Sequence, residues 1–76
     1  MARAFIMVKA AVGRSPPLLD TVRGMEHVVE ANIVAGDFDL VVEAEADEMS
    51  DLINAVATKI RGFDDVEDTK TYVCLE

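Results

Sequence analysis

The chain has 76 residues, a formal net charge of −8 from 7 basic and 15 acidic side chains, and 51% hydrophobic residues. This composition predicts one folded domain and argues against a disordered segment, because a disordered chain lacks so much apolar surface. The negative charge repels phosphate backbones and anionic membranes, so we expect neither direct nucleic-acid binding nor membrane association.

A domain of this size often depends on a disulfide, a metal or a partner subunit. Cys74 is the single cysteine and His27 the single histidine. We therefore expect no intrachain disulfide and no zinc site, which leaves oligomerisation as the source of further burial. We also expect no cofactor. The N-terminus lacks a signal-peptide pattern and no apolar run approaches the ~20 residues that span a bilayer, so we predict a cytoplasmic location.

The first half of the chain predicts a strand, a helix and a second strand. The first strand covers residues 3–12. Ser15 can cap a helix and Pro16 suits its first position, while Gly24 is a plausible stop. The second strand covers residues 27–35.

The second half repeats this order. A short Gly36-Asp37 connection predicts a hairpin into a third strand over residues 38–46. Asp47 can cap a second helix that Gly62 ends, and residues 66–75 form the fourth strand. Five apolar residues follow at helical spacing: Met49, Leu52, Ile53, Val56 and Ile60.

An internal repeat supports this layout. Residues 23–30 and 61–68 both read Arg, Gly, large apolar, acid, any, Val, any, acid, at an offset of 38 positions. Each half is thus a β-α-β unit. Two such units predict an α+β fold: a ferredoxin-like β-α-β-β-α-β sandwich, with a four-stranded antiparallel sheet and two helices on one face, as a single domain over residues 1–76.

The sheet face away from the helices is predicted to be partly apolar. Side chains alternate along a strand, and the set that points away from the helices mixes apolar and charged residues. A contiguous apolar patch on a small protein marks an interaction site, so we expect this face to pack on the same face of a second copy. Scattered surface hydrophobes are the alternative. The predicted interface residues are Phe5, Met7, Val28, Val34 and Val41.

No catalytic constellation is found in the sequence. His27 has no nucleophile near it to activate, and the acidic residues 64–68 lack the spacing of a calcium loop. The most informative motif is Gly36-Asp37-Phe38-Asp39. Acidic groups beside open backbone amides can hold the ammonium and carboxylate of an amino acid, although an ordinary hairpin turn explains the local sequence better.

The whole pattern resembles a known family. The first strand over residues 4–8, the motif region 34–42 and the closing strand 68–73 are similar to the effector-binding (RAM) domain of the leucine-responsive regulator / AsnC family. This resemblance implies dimers that form through their sheets, assemble into tetramers, octamers or rings, and bind an amino acid or related effector between dimers. It implies ligand contacts from Gly36, Asp37, Asp39, Thr69 and Thr71, with Asp39 as first choice for the ammonium group.

Full-length regulators of the family carry a helix-turn-helix domain before this unit, and we expect none in this protein, since Met1 is followed almost at once by the first strand. We therefore expect a stand-alone, non-enzymatic effector-binding oligomer that modulates transcription or amino-acid metabolism, through assembly with full-length regulators. One alternative is a small dimeric α/β-barrel enzyme of the monooxygenase or isomerase type. Another is an ACT domain, which pairs its sheets side by side.

Overall fold

A four-stranded antiparallel sheet and two helical segments make up the structure, a computed structural model that describes residues 1–75. The elements in chain order are β1 (Ala2–Ala10), α1 (Ser15–Arg23), β2 (Val28–Ile33), β3 (Leu40–Ala46), α2 (residues 49–61) and β4 (Val66–Val73). The strand order in the sheet is β2-β3-β1-β4, so the two halves of the chain interleave. The predicted ferredoxin-like α+β fold is confirmed.

The core lies between the sheet and the helices, which pack on one face. Alternate residues of β1 and β3 are buried there, as the period of two predicts. No polar side chain is buried anywhere in residues 1–75. The buried side chains are Ala4, Ile6, Val8, Ala10, Leu18, Val22, Ala31, Leu40, Val42, Ala44, Ala46, Leu52, Val56, Ala57 and Ile60.

The predicted helix ends are confirmed only in part. The prediction that Ser15 caps the helix is wrong: Arg14 occupies the cap position, and no side chain makes a capping hydrogen bond. The predicted stops are confirmed, since α1 ends at Arg23 before Gly24 and α2 ends immediately before Gly62. Both glycines donate their N–H to carbonyls of the preceding turn, which closes each helix.

The second helical segment, α2, is not a uniform α-helix. It consists of an α-helical start (Met49–Asp51), a π-helical centre (Leu52–Ala57) and an α-helical end (Thr58–Arg61). Its cap position is Glu48, again without a side-chain capping bond. The prediction that Asp47 caps this helix is therefore wrong.

The π-helical centre rotates the apolar stripe of α2. Its i→i+5 hydrogen bonds put more residues into a turn than the 3.6 of an α-helix. As a result Ile53 is 40% exposed although the α-helical spacing predicts it in the core, while Ala57 is only 7% exposed. Leu52, Val56 and Ile60 lie in the core as predicted.

The internal repeat extends to the irregularities of the edge strands. In β2 the pairing with β3 skips Val29, and in β4 the pairing with β1 skips Glu67. These two extra residues are separated by the same 38-position offset as the matching segments. Each edge strand thus begins with a β-bulge, one after each helix.

The bulge in β2 changes the face on which Val28 lies. Val28 pairs with Ala44, a buried residue, and its side chain packs against the core. The prediction that Val28 belongs to the face away from the helices is wrong. The physical reason is that one extra residue in a strand reverses the alternation of the side chains before it.

The connection between β2 and β3 is longer than a two-residue hairpin turn. The strands end at Ile33 and resume at Leu40, and the N–H of Val34 donates to the carbonyl of Asp39 at 2.8 Å. Phe38 lies in this connection and is half-buried outside the core cluster, so the third strand begins at Leu40 and not at residue 38 as predicted. Strand alternation does not extend to a residue outside the strand.

No helix within residues 1–75 has the length and apolar character needed to cross a bilayer.

Candidate functional site

The sheet face away from the helices, called the open face below, carries an apolar band across three strands. In this band Met7 of β1 pairs with Val41 of β3, and Phe5 of β1 pairs with Tyr72 of β4. The predicted interface residues Phe5, Met7 and Val41 therefore lie together. Tyr72 is 55% exposed and was not predicted as an interface residue. Alternation along β4 puts Tyr72 on the same face as Lys70, and this is the face of Phe5 and Met7.

Charged side chains surround the apolar band. Arg3 forms an ion pair with Glu43 at 3.8 Å, and its guanidinium lies 5.6 Å from the centre of the Phe5 ring. The pKa of Arg3 is raised, first by a hydrogen bond to the Cys74 side chain and then by the negative charge of its neighbours. The face is thus mixed: an apolar centre with charges of both signs at its edges.

A groove of about 450 Å³ lies at one end of the apolar band, next to the connection between β2 and β3. Gly36 and Asp37, two of the predicted ligand residues, lie side by side in its wall, and Asp37 is its single charged residue. The predicted interface residue Val34 also borders it. The other wall residues are Met7, Ala35, Phe38, Val41 and Tyr72. The groove therefore combines one carboxylate with mostly apolar surface.

Asp39 has a structural partner. Its Oδ2 accepts a hydrogen bond from the N–H of Ala10 at 2.8 Å, and its own N–H donates to the carbonyl of Val8 at 2.8 Å. The carboxylate thus ties the end of β1 to the start of β3. The prediction that Asp39 binds an ammonium group is not tested by this contact and stays a prediction.

Thr69 and Thr71 lie on the other side of the sheet. They pair with Val8 and Ile6, whose side chains are buried under the helices, so both threonines project toward the helices at the sheet edge. They line a cleft of about 400 Å³ between β4 and the end of α2, called the β4 cleft below. Its other lining residues are Arg61, Val66, Glu67 and Asp68.

Four of the five predicted ligand residues therefore form two pairs, and Asp39 lines neither cleft. Gly36 and Asp37 share the groove on the open face, whereas Thr69 and Thr71 share the β4 cleft on the helix side. The sheet separates the pairs within one chain.

Arg61 was missed as a candidate site residue, since the sequence pattern explains it as a positive charge in the last turn of α2. A signal was present, because the internal repeat matches Arg61 with Arg23. In a smaller cleft of about 240 Å³ beside β2, Arg23 donates from Nε and Nη2 to the carbonyl of Ala31 at 3.1 and 2.8 Å. Within residues 1–75 the guanidinium of Arg61 has no comparable hydrogen bond or ion pair.

The described part of the chain shows no organised site built on histidine or on metal ligands. His27 lies in the turn before β2 with a left-handed backbone (φ 74°), and its carbonyl accepts a hydrogen bond from the N–H of Glu45. Among residues 1–75, no three His, Cys, Asp or Glu side chains come together as metal ligands would.

Comparisons with known proteins agree on one family. The family model described as the Lrp/AsnC ligand binding domain matches residues 3–76. The leucine-responsive regulatory protein of Haemophilus influenzae is 29% identical over 55 residues, which cover 72% of this chain and 33% of that protein. The chain thus spans about a third of the length of this curated relative.

Solved structures extend the likeness to the whole chain. A hypothetical protein from Pyrococcus horikoshii is 32% identical, with a TM-score of 0.91 over 100% of this chain and 92% of that chain. A transcriptional regulator of Neisseria meningitidis, crystallised as a complex with L-Met, has a TM-score of 0.73 at 19% identity over 99% of this chain and 50% of that chain. This second likeness is one of fold.

Proposed function

Because the chain belongs to the Lrp/AsnC ligand-binding domain family, we propose that it is an oligomeric protein that binds an amino acid or a related small effector. With its effector bound, the protein then modulates transcription or amino-acid metabolism through assembly with full-length regulators of the family. The curated relative is itself a regulatory protein, so we propose a regulatory role rather than a catalytic one.

One observation carries the proposal of a shared site: the two pairs of predicted ligand residues lie on opposite faces of the sheet. An effector of amino-acid size cannot reach through a packed sheet. A site that uses Asp37 and Gly36 together with Thr69 and Thr71 therefore needs the groove of one subunit and the β4 cleft of another. Oligomerisation is then a condition for binding.

The open face supports assembly through paired sheets. Burying a large apolar side chain contributes about 1.5–3 kcal/mol, and the band offers Phe5, Met7 and Val41 on adjacent strands. Val34 extends the apolar band at the groove. Charges of both signs at its edges allow ion pairs with a second copy, as Arg3 and Glu43 already form within one chain.

The chemistry of the groove supports an amino acid with an apolar side chain as the effector. The apolar walls suit such a side chain, and the carboxylate of Asp37 suits an ammonium group. Asp39 is proposed as a second acidic contact through the oxygen that does not accept from Ala10. The L-Met complex of the regulator from Neisseria meningitidis, which shares the fold, makes amino acids the first class to test.

The experiment measures mass and ligand response on the same sample. Light scattering at micromolar concentration should give an assembly of two or more dimers, because paired open faces leave the β4 cleft to meet the groove of another dimer, and one or more of the common amino acids should raise the melting temperature. A ligand at about 100 times its Kd stabilises the folded state by about 2.7 kcal/mol. A well-folded monomer with no response to any amino acid contradicts the proposal.

Two variants test the predicted contacts. Asp37→Asn and Thr71→Val should each reduce the thermal response to the amino acid while the fold, followed by circular dichroism, is retained. Asp20→Asn is the matched control, since Asp20 is an exposed aspartate on α1 that lines neither cleft. An unchanged response in both site variants refutes these contacts.

A further inference from the structure

The two halves of the chain use equivalent arginines differently. Arg23 ends α1 as Arg61 ends α2, and each lines a cleft beside an edge strand. Arg23 is held by two hydrogen bonds to the carbonyl of Ala31. The offset of 38 matches Ala31 with Thr69, yet within residues 1–75 Arg61 makes no such bond. In the cleft beside β2 the arginine is bonded to its own chain, whereas in the β4 cleft the equivalent arginine has no such bond.

We propose that Arg61 binds the carboxylate of the effector in the β4 cleft, with the hydroxyls of Thr69 and Thr71 as further donors. This inference rests on the proposed effector-binding function and assigns the two charged groups on the α-carbon of the ligand to different subunits. The β4 cleft of one subunit takes the carboxylate, and the Gly36-Asp37 groove of the other takes the ammonium group.

The chemistry of the β4 cleft fits a carboxylate. A guanidinium presents a planar fork of donors that matches the two oxygens of a carboxylate, and such pairs are short and strong. Each threonine hydroxyl adds one O–H donor. Arg23 demonstrates the reach of the side chain from this position, because its guanidinium extends from the helix end to the neighbouring edge strand.

The same cleft carries two carboxylates that restrict its ligand. Glu67 and Asp68 line it beside Arg61, and one oxygen of Asp68 accepts a hydrogen bond from the N–H of Thr69 at 2.9 Å. Like charges at close range repel. A ligand with one carboxylate satisfies Arg61, whereas a second carboxylate on the ligand meets Glu67 and Asp68. The cleft therefore selects neutral amino acids over aspartate and glutamate.

The test compares an acid with its amide. Calorimetry is carried out with the neutral amino acid that gives the largest thermal response and with its carboxamide, which lacks the carboxylate charge. Wild-type protein should bind the acid about tenfold or more tightly than the amide, in line with charge-assisted hydrogen bonds. Arg61→Gln should bind the acid about tenfold more weakly and lose the preference for acid over amide.

The matched control is Lys59→Gln. Lys59 is the other basic residue in the last turn of α2, so its replacement removes the same charge from the same helix end without touching the cleft lining. It should keep the affinity and the preference of the wild type. Circular dichroism and light scattering verify fold and assembly, and Arg61→Lys, which keeps the charge without the fork, should bind with intermediate affinity.

The outcomes separate this inference from the proposed function. If amino acids bind and Arg61→Gln retains both the affinity and the acid-over-amide preference, the role of Arg61 is refuted while the effector-binding function stands. If the folded wild type binds no amino acid, both are refuted. Glu67→Gln should raise the affinity for glutamate relative to the neutral amino acid, and an unchanged ratio refutes the selectivity.

Discussion

Replacing Asp39 should destabilise the protein before any ligand is added. The carboxylate accepts a hydrogen bond from the N–H of Ala10 at 2.8 Å in a partly buried position. Hydrogen bonds to charged groups contribute about 1.5–3 kcal/mol, and Asp39→Ala leaves the Ala10 N–H without its partner. Because water reaches this site in part, we expect the lower end, a loss of about 1.5–2 kcal/mol in the free energy of unfolding.

In a domain of this size each kcal/mol shifts the melting temperature by about 4–8 °C, so Asp39→Ala should melt roughly 10 °C lower. Urea unfolding followed by circular dichroism, without ligand and at fixed protomer concentration, measures the loss directly. Asp39→Asn keeps an acceptor oxygen and should lose less than Asp39→Ala.

Asp37→Ala serves as the control for this comparison. Asp37 is exposed in the same connection, and exposed substitutions usually change stability by less than about 0.5 kcal/mol. Equal unfolding midpoints for Asp39→Ala, Asp37→Ala and wild type would refute the structural role of Asp39. If Asp39 has this structural role, a loss of the ligand response in Asp39→Ala reflects the weakened fold as well as any lost contact with the ligand.

Two further predictions concern the core and the open face. Leu52→Ala should lower the free energy of unfolding by about 2–5 kcal/mol and Ile53→Ala by clearly less, as measured in urea. The reason is that the π-helical centre of α2 buries Leu52 and leaves Ile53 40% exposed. Equal losses for the two variants would contradict the rotation of the apolar stripe. Val41→Glu should shift the mass from light scattering toward the monomer by placing a charge in the apolar band. Val12→Glu, at a residue 97% exposed in the turn after β1, should leave the mass unchanged; identical masses for the two variants would exclude the band as the interface.

From the sequence, the candidate site could be predicted only as a set of residues. The resemblance names Gly36, Asp37, Thr69 and Thr71, and the structure places each pair in a cleft. That the pairs lie on opposite faces depends on the long-range register of β4 with β1. Alternation along β4 cannot decide which set faces the helices, because polar residues occupy both sets and the bulge at Glu67 interrupts the count.

The sequence by itself determined the order of elements and the fold, because these follow from local signals. Alternation in β1 and β3, the glycines that end both helices and the 38-residue repeat all survive in the structure. Only the tertiary structure decided the faces of Val28 and Ile53. A bulge and a π-helical turn each add one residue to a period, and whether a strand or helix accepts that residue depends on the packing of distant segments against it.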